Sequence, residues 1–170
     1  MITPAYAATM ARYNRWQNES LYRGALKLSD DERRRQRGAF FGSIHGTLNH
    51  LFWADSLWLS RFEAAERPKS PDVKASVDEF ERFEDLTAAR PVLDAAIVQW
   101  AEALTDDIVA GDLTWWSGIN QKNVSRPAAV IIAHIFNHQT HHRGQAHAML
   151  TAAGATPDDT DLIYMPGLKG

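Results

Sequence analysis

Five of the seven histidines lie within fourteen residues near the end of the sequence. They are His134, His138, His141, His142 and His147. Residues four apart on an α-helix lie one turn along and about 40° around the axis, so the imidazoles of His138 and His142 can bind one ion. Zinc proteases place two ligands on one helix in the same way, but the glutamate base between their histidines is missing here. The pair therefore indicates a metal site and argues against protease chemistry.

The remaining polar residues of this segment differ in the helix face that they occupy. His134 and His141 lie within about 60° of His138, whereas His147 lies on the opposite face and is interpreted as a surface or interface residue. Imidazole exchanges protons near neutral pH, so His134 and His141 are candidate catalytic proton carriers beside the metal. Gln145 shares their face, where its amide either bonds to a ligand histidine or is satisfied elsewhere.

A third metal ligand must come from another part of the chain, because an open catalytic site of the zinc type usually has three protein ligands. His50 lies in the most apolar stretch of the predicted second helix. Taken alone, such a histidine is more often a hydrogen-bonded core residue than a ligand. Beside the pair on the last helix, the ligand interpretation is favoured, since helix bundles build metal sites from facing helices. His45 lies about 140° around the helix from His50 and is the weaker candidate.

Two charged residues near these histidines are interpreted as structural. Asp55 lies about 140° from His50, and Arg143 about 140° from His138, around their helices. We expect Asp55 to form an interhelical salt bridge or hydrogen bond, and Arg143 to form an ion pair away from the site. Binding of a substrate carboxylate by Arg143 is the less favoured alternative.

Capping residues predict where the first helices begin. Thr3, followed by a proline, predicts the start of a helix that runs to Leu28. Ser29 has capping-box spacing to a glutamate and predicts a short helical turn. A second long helix, which carries His50, is predicted to begin near Ser43 and to be deeply packed.

The third long helix has a less certain start. Ser76 and Glu79 have capping-box spacing, and apolar residues at helical intervals continue to Leu104. Pro91 lies inside this run, so the helix either kinks there or begins closer to it. The proline-containing stretch 64–76 is predicted to be a surface loop.

A small hairpin is predicted before the last helix. Aromatic and β-branched residues surround Ser117 and Gly118, which favours a hairpin over residues 113–124. Ser125 is predicted to cap the last long helix, which ends at Gly154. The sequence therefore predicts an all-α fold with four long helices and one β-hairpin.

Composition limits the remaining classes of function. The 170 residues, 45% of them hydrophobic, fit one domain over residues 1–170. A net charge of -3 argues against binding to nucleic acid or anionic membranes, and the absence of cysteine excludes disulfides and thiolate ligands. The sequence shows neither a signal-peptide pattern nor an apolar run of the roughly 20 residues that span a bilayer. We expect a cytoplasmic protein that acts on a small molecule and binds neither nucleic acid nor membrane.

Two segments carry a resemblance to a known family. They are GTLNHLFWAD at 46–55 and FNHQTHHRGQ at 136–145. Together they resemble the DinB family of damage-inducible helical metalloproteins, which also includes thiol-dependent transferases. The resemblance implies that His50, His138 and His142 bind the metal, and that the metal is zinc or nickel. It also implies an up-down-down-up four-helix bundle and a homodimer.

A site of three imidazoles with an open coordination position suits two classes of reaction. The ion lowers the pKa of a bound water, or accepts a thiolate or carbonyl oxygen, which permits hydrolysis and thiol-dependent transfer or isomerisation. The first hypothesis is therefore a metal-dependent transferase that uses a low-molecular-weight thiol, or a hydrolase. The alternative is a non-catalytic, metal-binding stress-response protein in which the ion ties two helices together. A metal-free helical interaction module is disfavoured, because three separately placed histidines rarely converge by accident.

Overall fold

The fold is mostly helical, with one small antiparallel sheet. The computed structural model describes residues 2–118 and 120–168. Within them the helices are α1 (Pro4–Leu26), α2 (Asp30–Arg34), α3 (Ile44–Arg61), α4 (Phe83–Ala103), α5 (Asp106–Ala110) and α6 (Ala128–Ala152). The strands are β1 (Asp112–Ser117) and β2 (Lys122–Pro127), and 3-10 turns cover Ala75–Asp78 and Leu162–Tyr164.

Side-chain caps begin α1, α2 and α3 at the predicted residues. The hydroxyls of Thr3, Ser29 and Ser43 each accept a hydrogen bond from the backbone amide three residues on, at 3.1, 3.3 and 3.0 Å. These bonds satisfy amides that the first turn of a helix leaves without a partner. The first helix ends at Leu26, two residues before its predicted end.

The third long helix begins later than the capping-box spacing of Ser76 and Glu79 indicates, so of the two starts left open the one closer to Pro91 is confirmed. α4 begins at Phe83, and Ser76 lies instead in the preceding 3-10 turn. The carboxylate of Glu79 accepts bonds from two backbone amides of the loop 62–74, at 2.8 and 2.7 Å, so it fixes that loop and caps no helix. Pro91 lies inside α4, and the helix continues past it to Ala103.

The hairpin before the last helix is confirmed, and the predicted cap of that helix is wrong. β1 and β2 are antiparallel, and Ser117 pairs with Lys122 at the closed end. Ser125 belongs to β2, where it pairs with Thr114 and their hydroxyls are 2.9 Å apart. Pro127 therefore precedes the first turn of α6, because the strand extends two residues beyond Ser125.

The long helices bury two clusters of apolar side chains, and Phe52 packs against both. α1 packs against α4 and α6, α3 packs against the same two helices, and the hairpin contacts α6. The largest fully buried apolar side chains are Phe83, Phe136, Leu21, Ile44, Leu48, Leu59, Leu86, Ile97, Ile132, Ile135 and Leu150. Each contributes roughly 1.5–3 kcal/mol to folding by leaving water. This packing holds α3 directly against α6, the two helices that carry the candidate ligands.

None of the helices in the described residues combines the length and the apolar character needed to cross a membrane.

Candidate metal site

Three histidines from α3 and α6 converge on one point. Each of His50, His138 and His142 offers a ring nitrogen, and these nitrogens lie within 4.8 Å of one another. The Nε2 atoms of His50 and His138 are 3.2 Å apart. His50 and His142 are buried and His138 is partly exposed, so solvent reaches the cluster from one side. The structure thus brings together the three histidines that the sequence analysis selected.

A hydrogen-bond chain fixes the tautomer of His50. Its Nδ1 lies 2.8 Å from the hydroxyl oxygen of Ser76, and that hydroxyl lies 2.6 Å from the carbonyl oxygen of Val73. The Ser76 hydroxyl has only one hydrogen, which it donates to Val73, so it must accept from the Nδ1–H of His50. The lone pair of His50 is therefore on Nε2, which points into the cluster.

Gln145 orients His142 in a similar way. Its carboxamide oxygen lies 2.8 Å from Nδ1 of His142, which donates to it and keeps its own lone pair on Nε2. The amide nitrogen of Gln145 donates to Nε2 of His141 at 3.2 Å. Of the two interpretations of Gln145, the structure supports the bond to a candidate ligand. His141 is exposed and its ring lies 4.7 Å from that of His142.

Aromatic rings form the walls of the cluster. Phe41 stacks on His50 with ring centroids 3.7 Å apart and also lies 5.1 Å from His142. Trp53 stacks on His50 as well, at 5.8 Å. The loop that carries Phe41 turns at Gly42, whose φ of +75° is a conformation that favours glycine. The sequence analysis missed Phe41, and its position next to this glycine was the available signal.

Burial keeps the clustered imidazoles neutral. It lowers the pKa of His50 and of His138 to about 3, and the neighbouring histidines add a smaller effect in the same direction. Burial also lowers the pKa of His142, which the bond to Gln145 opposes. Neutral imidazole is the form that binds a metal ion, so the cluster is in the binding form at neutral pH.

His134 lies one turn before His138 on α6, at the edge of the cluster. Its ring is 5.7 Å from that of His138 and 5.1 Å from Trp58, against which it packs edge-on. Partial desolvation of the ring lowers the pKa of His134, and the positive charge of Arg61 lowers it further. At neutral pH this imidazole is therefore uncharged and able to accept a proton.

A buried network of ion pairs and hydrogen bonds joins α3, α4 and α6. Arg90 donates to Asp55 at 2.8 Å and to Asp94 at 2.6 Å, and all three side chains are nearly inaccessible. Asp55 also accepts a bond from Gln139 at 2.9 Å, which ties α3 to the residue beside His138. The predicted interhelical salt bridge of Asp55 is confirmed.

Arg143 points away from the cluster toward α1. Its guanidinium donates to the amide oxygen of Asn14 and, at 3.2 Å, to the hydroxyl of Thr140, and it lies over the ring of Tyr13. Within the described residues it has no carboxylate partner at ion-pair distance, so the predicted ion pair is replaced by bonds to neutral groups. Burial lowers the pKa of Arg143 to about 10. Its predicted structural role is supported.

Two further histidines lie outside the cluster. His45 is buried, and its Nε2 lies 3.1 Å from the carbonyl oxygen of Phe80, so it is a hydrogen-bonded core residue. His147 is partly buried and lines a cavity of about 230 Å³ together with Tyr13 and Arg143. Neither contributes a ring nitrogen to the cluster.

Two comparisons with known proteins found a match. The model of the DinB family matches residues 1–167 of the chain. The chain is also 26% identical to Protein DinB of Bacillus subtilis (strain 168) over 167 residues, which cover 94% of each chain. No solved structure gave a significant match.

Proposed function

The chain belongs to the DinB family, and on that premise we propose that it binds one divalent metal ion through His50, His138 and His142. The observation that carries the proposal is the convergence of three ring nitrogens, from two separate helices, within 4.8 Å. Nothing in the packing of apolar side chains requires three imidazoles to meet. A shared ion gives each of them a partner.

The donor set fits such an ion in distance and in tautomer. Two ligands about 2.0–2.1 Å from a tetrahedral ion lie roughly 3.3 Å apart. The Nε2 atoms of His50 and His138 are separated by 3.2 Å, which is close to that value. The Nδ1 atoms of His50 and His142 are each occupied by a hydrogen bond, which leaves Nε2 available. Such outer bonds are typical of histidines that bind metals.

Zinc or nickel is the proposed ion. The three candidate ligands are neutral imidazoles, which suit zinc, nickel and other transition metals, whereas magnesium and calcium prefer oxygen ligands. The cluster contains no carboxylate among the described residues that meet there. The chemistry of the ligands therefore supports a transition metal.

We propose that the protein is an enzyme that uses the ion on a small-molecule substrate, as a transferase with a low-molecular-weight thiol or as a hydrolase. A divalent ion held here would supply a Lewis acid for a thiolate or a carbonyl oxygen. The partial exposure of His138 supports a site that a substrate can reach, in contrast to the closed shell of a non-catalytic, stress-response metal protein.

His134 and His141 are the proposed proton carriers. The lowered pKa of His134 makes it a proton acceptor at neutral pH. His141 is exposed, and its Nε2 lies 3.2 Å from the amide nitrogen of Gln145, which also holds His142. The two residues flank the cluster on the solvent side of α6, where each can exchange protons with a substrate.

We further propose that the long helices form an up-down-down-up four-helix bundle and that the chain assembles as a homodimer. Each of α1, α3, α4 and α6 packs against two of the other three, which supports the bundle. The homodimer is an expectation from the family alone. Light scattering after size-exclusion chromatography tests it, because a mass near 19.1 kDa would contradict a dimer.

Metal content per chain tests the proposed site. Protein purified without a histidine tag is incubated with zinc or nickel, desalted and measured by elemental mass spectrometry. We expect about one equivalent in the parent and in the control His147→Ala, and a large loss in His50→Ala, His138→Ala and His142→Ala. A metal-free parent, or undiminished metal in all three variants, would contradict the proposal.

Cobalt substitution separates an enzyme from a non-catalytic metal protein. An accessible site predicts that azide changes the visible spectrum of the cobalt protein and that 2-mercaptoethanol adds a sulfur-to-metal charge-transfer band. If stoichiometric cobalt binds and neither reagent changes the spectrum, the coordination shell is closed, and the non-catalytic alternative replaces the enzyme.

A further inference from the structure

A cleft lies beside the histidine cluster. It has a volume of about 780 Å³ and is enclosed by α3, the loop 62–74 and the end of β1. We call it the cationic cleft, because Arg61, Arg67, Lys69 and Lys74 line it against one acidic side chain, Asp72. This volume is in the range of small-molecule sites.

The four cations lack protein counter-ions. Across the described residues, no carboxylate lies within ion-pair distance of any of them. The carboxylate of Asp72 accepts a bond from the backbone amide of Ala75 at 2.9 Å, which holds it in the turn. The chain as a whole carries a net charge of -3, so this concentration of positive charge runs against the overall balance. These cations are therefore available to an anion from solution.

Arg61, which lines the cationic cleft, is held in place by two tryptophan rings. Its guanidinium lies 4.0 Å from the ring centre of Trp58 and 4.8 Å from that of Trp115. Burial lowers the pKa of Arg61 to about 10, so it keeps its charge at neutral pH. A partly desolvated and immobilised guanidinium binds carboxylate or phosphate more strongly than a mobile surface cation does.

The rim of the cationic cleft is also fixed. The buried carboxylate of Glu79 accepts bonds from the amides of Lys69 and Ser70, and the indole nitrogen of Trp53 donates to the carbonyl of Ser70 at 2.8 Å. Trp116 also lines the cleft and is 60% exposed. The cleft therefore has a preformed polar wall and accessible aromatic surface.

The cationic cleft and the histidine cluster share a wall. Trp53 lines the cleft and stacks on His50, and Val73 lines the cleft and accepts the bond from Ser76 that fixes the His50 tautomer. We propose that the cationic cleft binds the carboxylate or phosphate group of a planar, small-molecule anion. Anions of this kind are then the substrates of the adjoining histidine site. This second inference rests on the proposed function, whereas the binding of an anion in the cleft does not depend on it.

Calorimetric titration of the full chain tests this proposal. The probes are 2-naphthoate, 2-naphthyl phosphate and the neutral 2-naphthylmethanol, which share one ring system and differ in charge. We expect both anions to bind with an affinity that decreases between low and high salt, because the cations are largely exposed. The neutral probe should bind at least about tenfold more weakly, since it forms no charge-assisted bond.

Two single variants locate the binding. Arg61→Gln and Arg67→Gln should each weaken binding of the anions about tenfold, the expected effect of losing one bond to a charged group. The matched control Lys27→Gln removes one exposed positive charge elsewhere and should change affinity less than about twofold. Arg67 is exposed, so its variant is informative even if loss of Arg61 disturbs the packing of the two tryptophans.

The variant His138→Ala separates the cleft from the metal. Anion binding that persists in this variant and is lost in Arg67→Gln supports the cationic cleft, whatever the metal content. The opposite result is binding that is lost in His138→Ala and unchanged in Arg61→Gln and Arg67→Gln. It would mean that the anion coordinates the metal. The proposal that the cationic cleft binds the anion would then be wrong, and the proposed function would remain intact. Equal binding of the neutral probe also overturns the proposal.

Discussion

Replacing Arg90 with methionine should destabilise the fold strongly. Arg90 lies between Asp55 and Asp94, at 2.8 and 2.6 Å, and the three side chains are 2–3% exposed. Methionine fills a similar volume but leaves two carboxylates buried without a cation. Breaking a buried pair in this way costs about 3–5 kcal/mol. We therefore expect the free energy of unfolding to fall by that amount. This is a large share of the roughly 5–15 kcal/mol that stabilises a domain.

Urea denaturation followed by circular dichroism measures the effect of Arg90→Met. The free energy of unfolding of a small domain falls by about 2 kcal/mol per molar urea, so the urea midpoint should decrease by roughly 1.5–2.5 M. Burial raises the pKa of Asp94. Without Arg90, that carboxyl should take up a proton more readily in the folded state than in the unfolded chain. The free energy of unfolding that the variant loses relative to the parent should therefore be larger at pH 8 than at pH 5.

The matched control is Arg35→Met. Arg35 also pairs with a carboxylate, that of Glu32 at 2.6 Å, but its side chain is 62% exposed. Exposed pairs contribute about 0–1 kcal/mol, so the midpoint should shift by less than about 0.5 M. Equal shifts of the urea midpoint in the two variants would show that burial does not determine how much these ion pairs stabilise the fold. A decrease in the free energy of unfolding below about 1 kcal/mol in Arg90→Met would show the same.

Three further predictions concern the site and its supporting turn. Ser76→Ala removes the partner of His50 Nδ1 and should weaken metal binding about 10–100-fold in a chelator competition assay, with the fold retained. In metal-free protein, the pKa of about 3 for His50 and His138 lies below the value of roughly 6.5 in an unfolded chain, so the unfolded state binds more protons between these values. The urea midpoint should therefore fall as pH decreases from 7.5 to 5, with a smaller slope in His138→Ala; a midpoint independent of pH in the parent would contradict this. Gly42→Ala should lower the melting temperature, because φ at this position is +75° and an added Cβ would lie 2.2 Å from the Gln36 side chain. Gly144→Ala should raise the melting temperature, because Gly144 lies in a helix with open space around it.

Local sequence patterns were sufficient to predict the ligand cluster and most of its helices. The hydroxyls of Thr3, Ser29 and Ser43 cap helices as predicted, because capping depends on residues three apart in the sequence. The spacing of His138 and His142 is likewise a property of one helix. His50 was selected because the pair on the last helix needs a third ligand from another helix, and the structure packs α3, which carries His50, against α6.

Contacts between distant residues were not predictable from local patterns. Ser76 has the spacing of a helix cap, but its hydroxyl bonds to His50, 26 residues away. Ser125 also has the composition of a cap, yet pairing with Thr114 extends β2 and delays α6. In each case a long-range hydrogen bond competes with the local one, and only the packed structure decides which forms.

The partner of Asp55 shows the same limit. Its position on α3 predicted an interhelical bond, but the sequence did not identify Arg90, 35 residues on, or the link to Gln139 on α6. Arg143 was predicted to pair with a carboxylate, and it bonds instead to the neutral Asn14. The helix face of a charged residue follows from its position in the sequence, whereas its partner depends on how the helices pack.

Anomalous diffraction at a metal absorption edge would show whether the three histidines hold the ion. Crystals of the zinc- or nickel-loaded protein are measured above and below the edge of that metal. We expect one anomalous peak per chain, about 2.0–2.1 Å from the Nε2 atoms of His50, His138 and His142. A peak at other residues, or no peak at these histidines in protein that carries one equivalent of metal, would contradict it.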